Sequence, residues 1–433
     1  MLPMLKEVAV FLALTLQVSA QTPPQLGLDQ ALQLALTRHP SLQVAASEEQ
    51  AAQARVHEAE AAFWPKLGAG AYVNTGNVPM IVPGASSAEP QFWSLLPGGG
   101  LSLNLSLMLP LYTGGRLQAR LAQTRAEARA QVARTALALR EVARETRRAY
   151  FDLLQAQAAT ETARLNLQQR EEVQRLTRLR VELGAVALYV QRRMEAETAS
   201  ARQSLNTARA EQEGARARFL LSLGNALQQP FELTVPPPPA PLASSLQEDV
   251  QKALAERSDL LVARALAESA DERLQQVLSA YSPQLGLYAM GEQMRQPALG
   301  ARPFEGGYQV GVVLSWPLFD GERDARQEEA EAMREARRHE VTGVEQRVSA
   351  EVAEARARLE AALANEELAR TEQTAAETEL SISRRRYEVG RGIYLEVLDA
   401  LTALVRARQN VTASLRERGR AEADYLYSVG RLP

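Results

Sequence analysis

The sequence predicts a mainly α-helical protein with a small β part, built from a unit that occurs twice. Three observations support this fold class. Long stretches without proline, such as residues 111–229, are rich in alanine, arginine, glutamate and leucine and indicate very long helices. Ahead of them, apolar and polar residues alternate as they do in β-strands. Short motifs recur at a nearly constant offset, so an internal repeat determines the architecture.

The repeat is clearest at a glycine that lies between two helical patterns in each half. The motif Arg386–Gly390 (RYEVG) has an equivalent in Arg180–Gly184 (RVELG), 206 positions earlier. A second motif, Pro110–Arg116 (PLYTGGR), recurs as Pro317–Arg323 (PLFDGER), 207 positions later. Motifs further upstream recur 218 positions apart, so the first half contains about eleven extra residues after Pro65. An insertion of this kind indicates an exposed loop.

A long helix and a return helix are predicted in each half. In the first half the long helix covers Arg116–Leu183, which is ~100 Å at ~1.5 Å per residue, and the return helix covers Ala187–Leu223. The corresponding pair in the second half is Arg323–Val389 and Ile393–Val429. Apolar residues recur in this second pair at spacings of three and four, so neighbouring helices are needed to cover the apolar stripe.

Shorter helices are predicted ahead of the strands. Residues 26–62 form two amphipathic helices with a break at His39–Pro40, because proline disfavours a helical residue before it. Residues 246–280 are predicted to be helical in the second half. Residues 236–241 are mostly proline and predict a stiff extended linker between the halves.

Two predicted strands occur in each half. Residues 101–109 alternate leucine with serine and asparagine up to Met108, and residues 67–74 alternate in a similar way as their hairpin partner. The second half has strands at 283–291 and 308–319. Four strands cannot close into a barrel, and open edges are not tolerated in a bilayer, so several chains must share one barrel.

Aromatic residues cluster at one end of the predicted strands, where the helices begin. Such a cluster is typical of an interfacial aromatic belt, although aromatic packing at a helix-to-sheet junction gives the same pattern. The cluster consists of Trp64, Tyr112, Tyr281, Trp316 and Phe319.

The N-terminal residues have the features of a secretory signal peptide. Lys6 precedes a mostly apolar run at 8–16, and Val18–Ala20 is a small-residue cleavage site, which makes Gln21 the expected mature start. A membrane anchor is the alternative, but the run is shorter than the ~20 residues that a spanning helix needs.

The composition argues against catalysis, cofactors and metal sites. The chain has no cysteine, which excludes disulfides, thiolate ligands and a lipidated N-terminal cysteine. His39, His57 and His339 lie in helical polar patterns without the spacing of metal ligands. Net charge is −3, and arginine and glutamate alternate along the helices, so no basic face for nucleic acid is predicted.

The doubled order of short helices, strand hairpin, Pro-Leu-aromatic-x-Gly-x-Arg motif, long helix, glycine turn and return helix resembles the TolC-like outer-membrane efflux proteins. The resemblance covers residues 25–430. It implies a homotrimer in which four strands per chain form a shared twelve-stranded barrel among outer-membrane lipids, continuous with an α-barrel of antiparallel helical hairpins in the periplasm. It also implies passive conduction of substrates that an inner-membrane transporter and a periplasmic adaptor deliver.

The resemblance also assigns roles to the ends of the helical hairpins. These ends would contact the adaptor and close the tunnel, and they consist of Gly184, Ala185, Val186, Gly390, Arg391 and Gly392. Glu396 and Asp399 match two acidic positions that line the closed entrance of such a tunnel. They share a helix face at i and i+3, so three copies would give two acidic rings. The alternative is that acids in a first helical turn complement the helix dipole.

One departure from the family concerns closure. The family archetype closes its entrance with an arginine two residues after the second glycine and an acid six residues after the first. This chain has Gly392 and Val190 at those positions, so that salt bridge is absent. Tyr189, Arg192 and Arg391 are the candidates for replacing it.

The predicted domain plan follows the repeat. Its segments are the signal peptide (1–20), first short helices (21–64), first β-hairpin (65–112, loop 75–100), first helical hairpin (113–229, tip 184–187), linker (230–245), second short helices (246–282), second β-hairpin (283–319) and second helical hairpin (320–433, tip 390–393).

Three other functions remain open at this point. A type I protein-secretion duct has the same fold, and a periplasmic coiled-coil adaptor or tether also uses long hairpins. The strand hairpins argue against the adaptor. A copper-export role is suggested only by methionines, which also serve as ordinary strand and loop residues: Met80, Met108, Met290 and Met294.

Overall fold

The computed structural model describes residues 25–74, 100–184, 187–227, 230–239, 242–295, 305–389 and 391–431. The predicted signal peptide, most of the predicted loop 75–100, and Ala185, Val186 and Gly390 at the predicted hairpin tips lie outside these residues. The chain divides into two compact units. Unit one contains residues up to 45, 136–257 and 346 onwards, and unit two contains 46–135 and 258–345.

The two halves repeat one order of elements: two short helices, two strands and two longer helices. The first half contains β1 (Gln25–Leu26), α1 (Leu28–Arg38), α2 (Pro40–Ala61), β2 (Lys66–Asn74), β3 (Gly100–Tyr112), α3 (Arg116–Glu182), α4 (Leu188–Ser222) and β4 (Glu232–Leu233). The second half contains α5 (Leu246–Glu256), α6 (Ser258–Leu278), a 3-10 turn (Ser279–Tyr281), β5 (Gln284–Arg295), β6 (Glu305–Ser315), α7 (Arg323–Glu388) and α8 (Tyr394–Ser428). None of the helices in the described ranges is long and apolar enough to cross a membrane.

A break separates the two short helices in each half. At His39 and Arg257 the backbone is extended, with φ/ψ of −67°/127° and −68°/127°. Pro40 explains the first break. The second half was predicted to be helical throughout, and this is wrong at Arg257, although Ser258 stands where the first half has proline. Arg257 is buried and its Nη1 donates to Glu351 Oε2 over 2.7 Å, so a tertiary contact holds the break without proline.

Unit two contains a four-stranded sheet in the order β2-β3-β5-β6, with every neighbouring pair antiparallel. The two predicted hairpins are therefore confirmed, and they join through β3 and β5. Within the chain, β2 and β6 are the edge strands.

The strand boundaries of the second hairpin differ from the prediction. β5 continues to Arg295, beyond the predicted end at 291, and β6 covers Glu305–Ser315 rather than 308–319. Pro317 accounts for the early end of β6, since proline has no N–H to donate to a ladder. The short parallel pairing of β1 with β4 was not predicted.

The core of unit one is aromatic. Tyr150 and Phe151 of α3 pack edge-on with ring centroids 6.0 Å apart, and Tyr150 packs on Phe219 of α4 at 5.8 Å. The Tyr150 hydroxyl lies 2.9 Å from Leu26 O and 2.6 Å from Thr234 O. Burial raises the pKa of this tyrosine, so the hydroxyl stays protonated and donates to these carbonyls. The predicted linker region is thereby attached to the long helices.

Charged pairs join α3 of the first half to α8 of the second half within unit one. The arginine and carboxylate side chains of these pairs are partly buried. Dissolved salt therefore screens their attraction less than it screens the attraction between exposed charges. The pairs are Arg147–Glu422 at 2.7 Å, Arg148–Asp424, and Arg420–Asp152 at 2.5 Å.

Candidate functional site

One face of the four-stranded sheet is apolar and exposed. Successive residues of a strand point to opposite faces, and the register places alternate leucines, valines and alanines of all four strands on the same side. Tyr308 on β6 is 89% exposed. The other exposed residues of this face are Leu67, Val73, Leu103, Leu105, Val310, Val312 and Leu314. A surface this apolar requires a covering phase or partner.

The opposite face is more polar, with glycines and polar residues beside Met108, Met290 and Val313. Tyr288 faces Gly311 across the β5–β6 pair, and a Cβ at Gly311 would lie 2.8 Å from the tyrosine ring. The Tyr288 hydroxyl accepts a hydrogen bond from Gln309 Nε2 over 2.9 Å. The remaining residues of this face include Gly68, Gly70, Asn104, Ser106, Gly286, Glu292 and Gly307. The sheet thus separates a lipid-like face from a face with small side chains that water can solvate.

A β-bulge at the end of β3 determines where Tyr112 points. Pro110 pairs with Gly286, but Tyr112 pairs with Leu285, so two residues of β3 oppose one of β5. The shift places Tyr112 at a register position of the apolar face, where it is 53% exposed. Simple alternation would have placed it on the polar face.

The repeated strand-to-helix motif forms the junction between β6 and α7. Asp320 Oδ1 accepts from the Glu322 amide over 3.0 Å at the start of α7. Arg323 is buried, donates to Pro317 O over 2.5 Å, and stacks on the ring of Tyr281 at 5.3 Å. In the first repeat Thr113 Oγ1 replaces Asp320 and accepts from the Leu117 amide over 3.3 Å. The motif therefore serves to turn a strand into a helix.

The five candidate interfacial aromatics differ in their surroundings. Trp64, Tyr112, Trp316 and Phe319 are strongly exposed, with Phe319 at 92%. Tyr281 instead donates its hydroxyl to Asp324 and Gln327, over 3.1 and 3.3 Å. Its carbonyl accepts from the Trp316 indole N–H over 3.3 Å. Tyr281 and Trp316 thus take part in the junction, while Trp64, Tyr112 and Phe319 present exposed rings.

At the end of the second helical hairpin, Glu396 and Asp399 lie in the first turns of α8, in unit one. Both residues line a groove of about 870 Å³ along α7. Glu396 Oε2 is 3.7 Å from Arg386 Nη1 and makes no hydrogen bond to the part of the chain that the structure describes. Asp399 is exposed. The structure therefore brings the two predicted acids together and adds an arginine that the sequence analysis did not consider.

The other residues proposed for the hairpin ends have varied contacts. Gly184 adopts a left-handed φ of 70° that favours glycine. Tyr189 is 74% exposed, whereas Arg192 pairs with Glu195 of its own helix at 2.9 Å. The Arg391 amide donates to Arg386 O over 2.8 Å. Exposed apolar side chains surround these positions: Leu183, Leu188, Val389, Ile393 and Leu395.

A buried carboxylate network in unit one was missed by the sequence analysis. Asp249 of α5 is 1% exposed and accepts from Ser244, Arg356 and Tyr425 over 2.7, 2.8 and 2.8 Å. Burial raises the pKa of Asp249, but these three donors outweigh it and hold the pKa below its usual value. The sequence contains only a weak indication of this network, because Arg356 and Tyr425 are each more than one hundred residues from Asp249.

Among the described residues no group of three or more histidine, aspartate and glutamate side chains has a geometry suitable for a metal ion. The polar side chains that come together in unit one form the buried network around Asp249 and line the groove around Glu396.

A sheet with a lipid-like face and a polar face, joined to helices of 67 and 66 residues, defines a channel protein of the outer-membrane type. The family model described as outer membrane efflux protein matches residues 31–225 and 250–428. The chain therefore belongs to the outer membrane efflux protein family. This family consists of channels rather than enzymes.

Individual relatives agree with this family. The outer membrane efflux protein BepC of Brucella suis biovar 1 (strain 1330) is 28% identical over 292 residues, which are 64% of this chain and 63% of BepC. The alignment thus covers slightly less than two thirds of that relative.

Solved structures show the same fold at low identity. CusC, whose structures concern folding and transmembrane channel formation, has a TM-score of 0.77 at 18% identity, covering 93% of this chain and 92% of CusC. VceC of Vibrio cholerae has a TM-score of 0.74 at 21% identity, covering 93% and 96%. The outer membrane channel CmeC of Campylobacter jejuni has a TM-score of 0.77 at 17% identity, covering 93% and 85%.

Proposed function

We propose that the chain forms the outer-membrane exit duct of a tripartite efflux system, through which substrates pass without catalysis to the exterior. The two-faced sheet is the observation that supports this proposal. Its exposed leucines and valines suit lipid, and its opposite face, in which glycine, serine, asparagine, glutamine and glutamate stand beside a few methionines, is polar enough to suit a water-filled lumen. After export by a signal peptide, the mature chain would start at Gln21.

The free sheet edges support a homotrimer. Among the described strands, β2 and β6 each lack a partner on one side, and a bilayer does not tolerate open edges. Strand directions alternate along β2-β3-β5-β6, so β6 of one chain continues the antiparallel pattern when it meets β2 of the next. Three copies would give about twelve strands, an even number as in other outer-membrane barrels.

The ends of the helical hairpins are proposed as the contact with a periplasmic adaptor. Exposed Leu183, Leu188, Val389 and Ile393 give these ends an apolar surface that suits a protein partner. The adaptor would connect the duct to an inner-membrane transporter that supplies the energy. Near the same end, Glu396 and Asp399 are proposed to line the tunnel entrance and to attract cations.

Disulfide cross-linking tests the shared barrel. Because the chain has no native cysteine, every disulfide that forms must join introduced cysteines. Ala69 on β2 is at the same level as Tyr308 on β6, because Ala69 pairs with Leu105, Leu105 with Gly291, and Gly291 with Tyr308. Because closing a barrel staggers the register by several residues, Ala69→Cys, Ala71→Cys and Val73→Cys are each combined with Tyr308→Cys, Val310→Cys, Val312→Cys and Leu314→Cys. We expect one combination to give dimers and trimers on a non-reducing gel, since paired strands bring Cα atoms within about 4.4–6.8 Å.

The matched control is Ala69→Cys with Leu105→Cys, which are neighbours within one chain. This pair should oxidise without any change in oligomer size. Oxidation of the control together with monomers in every test combination would contradict the shared barrel.

Substrate accumulation tests efflux itself. Cells that lack the gene are expected to accumulate a fluorescent dye and several antibiotics several-fold more than cells that carry it. The difference should disappear when the membrane is de-energised, because a passive duct depends on an energised transporter. Equal accumulation in both strains, with a protein missing from the culture supernatant of the deletion strain, would replace efflux by protein secretion.

A further inference from the structure

The groove at the end of the second helical hairpin has a methyl-lined wall. Thr371, Thr374 and Thr378 lie on one side of α7, and each hydroxyl donates to a backbone carbonyl of the same helix over 2.9–3.0 Å. Their methyl groups therefore form much of the groove surface. These hydroxyls carry no formal charge, so the electric field that an ion meets in this groove depends mainly on its charged side chains.

Three acids and one arginine are the charged residues among the described lining of this groove. The acids are Glu379, Glu396 and Asp399, and the arginine is Arg386. Glu396 Oε2 is buried without a hydrogen bond, and Arg386 Nη1 lies 3.7 Å away. This distance is too long for a hydrogen bond but short for two unit charges. The guanidinium group thus balances the charge of Glu396 while Asp399 stays exposed.

The ion pair is too exposed to contribute much to folding. Arg386 is 56% exposed and Glu396 is 39% exposed, and pairs of this kind have little effect on stability. Their effect on the local electric field is larger, because each charge in a narrow entrance would be repeated in every copy of the chain.

The first repeat does not contain this arrangement. At the offset of 206 residues, Arg180 corresponds to Arg386, but Val190 corresponds to Glu396 and Arg193 to Asp399. The acids are therefore specific to the second hairpin, and the sign of the charge is reversed at the position of Asp399. The carboxylates that could attract cations at these positions therefore come from the second hairpin.

We propose that Arg386 sets the cation selectivity of the tunnel entrance by cancelling the charge of Glu396. This inference rests on the proposed function, since it requires that the groove faces the entrance. Arg386 acts here through its positive charge. With Arg386 present, Glu396 and Asp399 attract a cation less strongly than the same two carboxylates would without a neighbouring arginine.

Single-channel recording with Mg²⁺ as the blocking ion tests this inference in the purified full-length protein. Arg386→Gln should strengthen Mg²⁺ block about tenfold, because one negative charge per chain loses its counter-charge. Asp399→Asn should weaken the block about tenfold. Combining Arg386→Gln with Glu396→Gln removes the ion pair but keeps the net charge, so block should return to the wild-type value.

Two controls separate charge from structure. Arg175→Gln removes the same charge from α3, where Arg175 pairs with Glu172 at 2.7 Å outside the groove, and should leave the block unchanged. Raising the salt from 0.1 to 1 M shortens the screening length from about 10 to 3 Å and should reduce the effect of Arg386→Gln. A structural effect of the ion pair would persist in the double variant and at high salt.

The outcomes distinguish this inference from the proposed function. A wild-type protein that forms no pore would overturn the proposed function and this inference together. A conducting wild type whose block is unaffected by Arg386→Gln, or a double variant that fails to return to the wild-type value, would overturn the inference alone.

Discussion

Glu366→Ala is expected to destabilise the protein by about 3–5 kcal/mol, because it leaves a buried arginine without its counter-charge. Arg418 of α8 is 1% exposed, and its Nε lies 3.2 Å from Glu366 Oε2 of α7. Its Nη2 donates to Pro236 O over 3.3 Å in the linker region. The guanidinium group also lies 6.0 Å from the centre of the Phe151 ring. Without Glu366, one backbone carbonyl would remain to compensate a charge that water cannot reach.

Unfolding in detergent, followed by circular dichroism against guanidinium concentration, measures this effect. The matched variant combines Glu366→Leu with Arg418→Met, which removes both charges and keeps similar volumes. Because an apolar pair of similar size replaces a buried ion pair at little or no cost, this double variant should recover most of the lost stability. An equally unstable double variant would show that packing, not charge, explains the loss.

Gly419→Ala is expected to destabilise the same region by about 1–3 kcal/mol through overpacking. A Cβ at Gly419 would lie 2.1 Å from Cγ of Phe151, so α3 and α8 are in contact at a point where only hydrogen fits. Phe151 is itself 1% exposed and cannot move outwards. The variant must shift either the ring or the helix.

Gly343→Ala in α7 is the matched control for this variant. Nothing lies within 4 Å of a Cβ at Gly343, which is also in the interior of a helix. Because alanine favours helix over glycine by about 0.8–1 kcal/mol, the control should stabilise the protein. Opposite shifts of the unfolding midpoint are therefore expected for two substitutions of the same kind. Shifts in the same direction would contradict the close packing of Phe151 on Gly419.

The sequence predicted the fold well where the signals are local. Proline and glycine mark the ends of the long helices, and alternation marks β2 and β3, so these elements agree with the structure within one residue, except that β3 ends at Tyr112 rather than at 109. The break at Arg257 was missed because it depends on Glu351, which is 94 residues away. The bulge that places Tyr112 on the apolar face was missed for a similar reason. It appears only in the pairing of β3 with β5, which the alternation within β3 alone does not reveal.

The candidate sites divide in the same way. Glu396 and Asp399 were found by their distance from a motif, and the structure places both in one groove. Arg386 was not considered, because the turn that brings it near Glu396 joins two helices with separate periodicities. Asp249 and Arg418 carried only a weak signal, since most of their partners come from other elements and a buried charge cannot be recognised from one position.

The two free edges of the sheet have a genetic consequence in the proposed ring. A variant with a damaged β2 edge would still supply an intact β6, so it would join a ring and leave a gap in it. With equal amounts of both chains and random mixing, about one ring in eight would contain three intact copies. Such an allele would be dominant over the wild type, whereas a null allele would be recessive.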